Sequence, residues 1–399
     1  MSPSSQSFSA EPRVVSHSSR AKALREKGPR DQRLDFWRGL CLIDMVLVHL
    51  YYQNVQFGNF LGRLFGDYTR FAAGGFIFVS GLSIGVIFWP RSCDPVKRPK
   101  TYKALWRRSL YILGVNYLCA MLLVLLRIFI KIVIGQHWDY AEPFQILRDI
   151  FLLRDGGDLL PFYVMMIAIS PLVMMALRSH KWGWLAVLVS SLSLFTWGLW
   201  HPWAFAPAMH QTFPPVLWQA IFILGLLLGY GWKKYNAIPV KWKLAMAAGA
   251  WGVVAALFVN EYGYQWGMGY LSFGTAYTKV PLSTPEALRY LAIIIALMTT
   301  TDSFWPWIKE SNAAAFVQTL GRKSLPVYAF HLLVVEALGA LASELPSMGS
   351  WQILFAVFAV LLLWLWALVL DVSAEPKQQR HVAAIPALFG PEAMPGAAQ

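Results

Sequence analysis

Apolar residues in this chain come in long runs and not in alternation. Runs of about 17 to 25 residues, the length a helix needs to cross about 30 Å of hydrocarbon, recur along it. They lie near residues 34–52, 70–89, 109–134, 159–177, 182–200, 215–232, 244–260, 286–303, 324–341 and 351–370. A membrane β-barrel would instead show strands of about ten alternating residues. The pattern predicts an all-α, polytopic integral membrane protein of about ten transmembrane helices. Residues 34–370 form that membrane domain, flanked by tails at 1–33 and 371–399. The first tail, rich in Ser, Arg and Lys, lacks an apolar face and is expected to be disordered; a transit peptide is the weaker reading of the same composition. No small-residue cleavage site follows the first apolar run, which continues into Tyr51 and Tyr52, so a removable signal peptide is not expected.

Composition agrees with that reading. Of 399 residues, 57% are hydrophobic and 14% charged, with mean hydropathy +0.47, against about 25% charge in an ordinary soluble domain. The net charge of +13 is spread over short loops, so it reads as a topology signal, and a nucleic-acid partner is not expected. Basic residues fall in alternate loops: Arg33, the segment from Arg91 to Arg108, Arg178 and Lys181, Lys233 to Lys243, Lys309, Arg322 and Lys323, Lys377 and Arg380. The intervening loops hold little beyond Arg63, Arg70, Arg148, Arg154 and Lys279. Because cytoplasmic loops retain Lys and Arg, both termini are expected in the cytoplasm. Cys41, Cys93 and Cys119 form no CxxC pair, so neither a disulfide framework nor a metal site is expected.

Chemistry is then sought among ionisable residues placed where lipid disfavours them, at about 2.5–3.5 kcal/mol each on insertion scales. The first span is the richest. Arg38 and His49 are eleven positions apart, which at about 100° per residue leaves them about 20° apart around the helix. Asp35 falls on the same side, and Asp44 lies about 120° away. The helical rise of about 1.5 Å per residue separates Arg38 from His49 by roughly 16 Å. One reading makes His49 a general base facing a cavity open to the outside, with Arg38 lower on the same wall near an anionic donor. The other makes His49 an interfacial histidine and Arg38 a snorkelling anchor.

Five segments in order resemble a known family. Arg33-Leu-Asp-Phe-Trp-Arg-Gly-Leu40 with His49, then Phe76-Ile-Phe-Val-Ser-Gly81, are similar to membrane acyltransferases grouped around the OpgC glucan succinyltransferases and the wider acyltransferase-three family. Leu159-Leu-Pro-Phe-Tyr-Val-Met-Met-Ile167, Pro215-Val-Leu-Trp-Gln-Ala-Ile-Phe-Ile-Leu-Gly225 and Leu320-Gly-Arg-Lys-Ser-Leu-Pro-Val-Tyr-Ala-Phe-His331 resemble OpgC segments. The likeness runs from about residue 31 to 370. It implies ten helices in a bacterial inner membrane and transfer of an acyl group, succinyl among the candidates, from cytoplasmic acyl-CoA to a hydroxyl of a periplasmic glucan or other glycan. Acyl-CoA is then a donor substrate, with no bound cofactor expected. The chain departs from the family in one place: Val48, not an acidic residue, precedes His49, and Asp44 stands one turn earlier.

The remaining candidates follow from position. His331, preceded by Arg322, Lys323 and Ser324, is read either as a group that bonds the thioester or positions the donor, or as a core histidine bonded to a backbone carbonyl or to Tyr328. Glu336 is expected to pair with Arg70 or to line the acceptor path. Asp67 can support His49 across a short loop; Asp155 and Asp158 lie where carboxylates meet sugar hydroxyls, or are solvated loop residues. Trp218 and Gln219 join Asp35, Arg38, Arg70, Asp158, Arg322 and Glu336 as substrate-binding candidates. Gly74, Gly75, Ser80, Gly81, Ser83 and Gly85 predict a tight helix-packing face. The aromatic outside loops, with Trp138, Tyr140, Trp197, Trp200, Trp203, Trp218, Tyr262, Tyr264, Trp266, Tyr270 and Tyr277, read as an interfacial belt or a carbohydrate platform. The basic segment from Arg91 to Arg108 can receive the phosphates of coenzyme A or simply mark the inside. A secondary transporter or lipid-linked glycan flippase, using the same charges without chemistry, is the rival class. A non-enzymatic scaffold leaves the shared face of Arg38 and His49 unexplained.

Overall fold

Every predicted span coincides with a helix. The computed structural model describes residues 31–52, 71–134, 144–145, 159–202, 204, 213–263, 277–344 and 353–374. By contact the chain divides into two units, residues 1–32 and residues 33–399, and the helix bundle belongs to the larger. The long helices are α1 (Gln32–Tyr52), α2 (Ala72–Cys93), α3 (Arg98–Ile134), α4 (Leu159–Ser179), α5 (Gly183–Trp200) and α6 (Pro215–Tyr230). A short α7 (Trp232–Asn236) leads to α8 (Val240–Tyr262) and α9 (Thr284–Ile308); α10 (Asn312–Arg322), α11 (Ser324–Glu344) and α12 (Ile353–Ala374) complete the series. No strand occurs among the described residues.

Local chemistry sets several helix starts. Pro215 opens α6, and Pro239 stands just before α8, positions where a missing N–H costs nothing. Ser283 accepts from the Glu286 N–H at the start of α9, and Ser311 from the Ala314 N–H at the start of α10, the N-cap geometry expected of serine. Before α3, Asp94 accepts from the Val96 N–H at 2.9 Å. Lys97 beside it, together with that N–H, holds the Asp94 carboxyl below the usual carboxylate range.

Among the described residues eight helices are long and apolar enough to cross a membrane, which makes this a membrane protein. The two predicted spans outside that set are α1 and α6, for different reasons. Helix α1 carries Arg33, Asp35, Arg38 and Asp44. Helix α6 has only 16 residues, about 24 Å at 1.5 Å per residue, shorter than the hydrocarbon. Both bury most of their length inside the protein, so neighbouring helices, and not lipid, are their solvent. Helix α3 departs the other way. Its 37 residues continue the predicted span backwards through Arg98 to Arg108, so most of the expected basic loop is helical.

Helices α2 and α6 form the closest-packed pair. A Cβ at Gly81 would meet the Phe222 carbonyl oxygen, and one at Gly225 the Phe78 carbonyl oxygen. Gly85 and Gly229 face each other in the same seam. Small residues let backbones touch where lipid offers no hydrophobic drive to bring helices together. The outer surface is left to α3, α8 and α12, whose exposed Leu118, Leu125, Phe129, Trp251, Val253, Leu361 and Leu365 suit lipid contact.

Candidate active site

His49, one turn from the end of α1, lines a cavity of about 200 Å³. Its walls come from α1, α2, α4, α9 and α11, and include Tyr52, Leu159, Tyr290 and Tyr328, with Lys279 and Phe213 at the side. His331, on α11, lies directly against it: the two imidazole centroids are 5.3 Å apart and their planes differ by 34°. His331 is fully buried. Its Nδ1 contacts the carbonyl oxygen of Tyr328. A carbonyl only accepts, so Nδ1 must carry the proton, and in the neutral ring Nε2 holds the lone pair. That Nε2 has no hydrogen-bond partner among the described residues.

A second cavity, of about 50 Å³, lies toward the amino-terminal end of α1 and is lined by Arg38, Ser80, Ser83, Arg108, Tyr163 and Ser324 among others. Arg38 is held in its wall by two partners: Nη1 donates to Asp35 at 3.2 Å and Nη2 to the Ser83 hydroxyl. The stripe expected on α1 therefore exists, and one helix face serves both cavities. Between them stands a cluster of three aromatic rings. Phe76 lies 6.0 Å from Tyr328, which lines the His49 cavity, and 5.9 Å from Tyr163, which lines the Arg38 cavity.

Other predicted residues have different surroundings. Trp218, expected in an outside loop, sits within α6 and is fully buried against Phe213 and Tyr290, at 4.9 and 5.6 Å between ring centroids. Gln219 accepts from the Ser191 hydroxyl and donates to the Ser191 carbonyl, both at 2.8 Å, which pins α6 to α5. Neither residue lines the two cavities: Trp218 lies behind Phe213 and Tyr290, which line the first, and Gln219 is taken up by Ser191. Arg322 reaches Asp371 of α12 at 2.9 Å and Thr319 at 3.0 Å, a brace at the helix ends. Among the described residues Glu336 pairs with Arg127 of α3, at 2.8 and 3.2 Å. Asp67, Arg70, Asp155 and Asp158 lie outside the described residues, as do Trp138, Tyr140, Trp203, Tyr264, Trp266 and Tyr270.

Several contributors had no clear sequence signal. Asp44, which stands near the place of the family's acidic residue, turns to α2 and accepts from the Ala72 N–H at 3.0 Å. It ties the start of α2 to α1. Arg289, on α9, is buried between Glu286 and Glu261; only the i, i+3 spacing of Glu286 and Arg289 hinted at it. Asp302 draws Arg33 to 3.3 Å and Lys243 to 4.0 Å, gathering α1, α8 and α9 at the basic end. No cluster of His, Cys, Asp and Glu fit for a metal ion occurs among the described residues.

These features define a polytopic helical membrane protein with a paired-histidine cavity set above an arginine-lined one. The family model for OpgC protein matches residues 30–375, and the chain belongs to that family. Membership points to a transferase that modifies glucans. No curated relative matches the chain. No solved structure matches it.

Proposed function

We propose that the protein is an inner-membrane O-acyltransferase that moves an acyl group, succinyl among the candidates, from cytoplasmic acyl-CoA to a hydroxyl of a periplasmic glucan or related glycan. The observation that carries this reading is the His49–His331 contact, 5.3 Å between ring centroids, beside the cavity that His49 lines. In this reading ten helices cross the bilayer, with both termini in the cytoplasm. The His49 cavity then faces the periplasm, and the Arg38 cavity the cytoplasm.

The chemistry follows from the donors and acceptors. His49 takes the proton of the glycan hydroxyl as its oxygen attacks the thioester carbonyl. Collapse of the tetrahedral intermediate breaks the carbon–sulfur bond, and the thiolate leaves as the coenzyme thiol after receiving that proton. Of the two readings of His331, its contact with the Tyr328 carbonyl favours the core histidine over the group that bonds the thioester. With Nδ1–H committed to the Tyr328 carbonyl, its neutral ring offers an acceptor, not a donor, to what lies beside it. It is therefore a positioning residue that favours the imidazolium forming on His49. Arg38, held by Asp35 and Ser83, and Arg108 across the same cavity supply positive charge for the phosphates of the donor.

The test is thioester consumption by purified protein supplied with acyl-CoA and glucan oligosaccharides. His49→Ala is expected to lower the rate by roughly 10²–10⁴-fold, the usual contribution of a general base. An unchanged rate would remove His49 from the chemistry. Glycan movement across proteoliposomes without ester formation would favour a transporter instead.

A further inference from the structure

The His49 cavity is lined by a basic residue that the proton-transfer scheme does not use. That residue is Lys279, which lines the cavity together with His49, Tyr52 and Tyr290. The lysine is not on a loosely held loop. It sits in a turn at residues 278–283 that leads into α9, and the ends of the turn are closed on each other. The Ser283 N–H donates to the Thr278 carbonyl at 2.9 Å, and the Thr278 N–H to the Ser283 hydroxyl at 3.1 Å. The Thr278 hydroxyl bonds the Pro281 carbonyl at 3.0 Å.

The turn is also fastened to both flanking helices. The Tyr277 hydroxyl lies 3.2 Å from the Leu257 carbonyl and 3.0 Å from Asn260 Oδ1 on α8. The guanidinium of Arg289 lies 5.4 Å from the centre of the Tyr277 ring. Arg289 itself is buried and clamped by Glu286 and Glu261. An ion cluster of this kind is expensive to bury and gains its value from geometry. What it fixes here is the base of the turn. At the other end, Lys279 Nζ lies 5.3 Å from the Phe213 ring centre, in the same cavity wall. An ammonium so placed, beside aromatic groups and a histidine, attracts an anion more strongly than it would in water, because the local dielectric is low.

We infer that Lys279 forms an anion subsite in the His49 cavity, taking a carboxylate or phosphate group carried by one of the two reacting molecules. Which molecule brings the anion rests on the proposed acyl transfer; the subsite itself rests on the cavity and the braced turn. Two pairs of probes separate the sources. S-succinyl-pantetheine and S-butyryl-pantetheine differ by a terminal carboxylate on the acyl side. A β-glucan oligosaccharide with and without a glucuronate unit differs by one on the acceptor side.

Binding of all four probes to the full-length protein is measured by calorimetry, alongside thioester consumption. The expected result is at least tenfold tighter binding of the charged member in one pair. That preference falls to less than twofold in Lys279→Met, which keeps the chain length and loses the charge, and survives in Lys279→Arg. The pair that shows it identifies the molecule carrying the anion. Equal affinity within both pairs overturns the subsite, and so does a preference that Lys279→Met leaves intact. Because binding is read separately, a protein that shows the preference but consumes no thioester keeps the subsite and loses the acyl-transfer reading.

Discussion

At the scale of single residues, what distinguishes the two histidines is their hydrogen bonding. His49 faces the cavity, whereas His331 lies behind it and spends Nδ1–H on the Tyr328 carbonyl. If His331 acts only by presenting a lone pair to His49, replacing it with phenylalanine keeps the ring and removes the acceptor. A hydrogen bond to a charged group contributes about 1.5–3 kcal/mol, so His331→Phe is expected to lower kcat roughly 10–10²-fold. The KM values for donor and acceptor should stay within about twofold, because no substrate contact is lost. A rise in the donor KM with kcat intact would return His331 to the thioester. The helical period was enough to put Arg38 and His49 on one face. It held no information on which partner helix would meet that face, and so could not pair His49 with His331, which are 282 positions apart by their numbering. Asp44 was equally opaque, since its bond to the Ala72 N–H depends on where α2 begins.

Among the elements, apolar length was legible and packing was not. The run lengths anticipate the long helices because hydrocarbon thickness acts on each separately. They treat all spans alike, however, and the structure does not: α2 and α6 are buried in the bundle while α3, α8 and α12 face outward. The small residues of α2 were the visible trace of that difference, although Ser80 and Ser83 line the Arg38 cavity and only Gly81 and Gly85 enter the seam with α6. Gly81→Leu is therefore expected to force α2 and α6 apart. Overpacking costs about 1–3 kcal/mol even where side chains alone must yield, and here the obstacle is the Phe222 carbonyl. Thermal unfolding in detergent should show a clear loss of stability. Gly114→Leu, on α3, is the control, because a Cβ there meets nothing within 4 Å. Leucine is the better helix former, so propensity alone predicts no loss in either variant; similar losses in both would mean that the α2–α6 contact does not explain the result.

For the molecule as a whole, the arrangement of charge and the arrangement of cavities make one demand together. The basic residues expected to mark the inside also gather in space: Arg178 bonds the Ser92 carbonyl and the Tyr102 hydroxyl, Arg33 and Lys243 meet at Asp302, and Arg322 and Lys323 meet at Asp371. The same end opens toward Arg38 and Arg108. If that end is cytoplasmic, the Arg38 cavity is the one acyl-CoA reaches, and the His49 cavity faces the acceptor. Reversed, the proposed division of substrates fails. The native cysteines can decide this, because Cys93, at the basic end of α2, is exposed, while Cys41 and Cys119 are buried. A membrane-impermeant maleimide is expected to label the full-length protein in inverted vesicles, and Cys93→Ser should abolish that signal. Intact spheroplasts should give none until the membrane is broken. Labelling of Cys93 from the outside of intact cells would invert the molecule and, with it, the assignment of donor and acceptor to the two cavities.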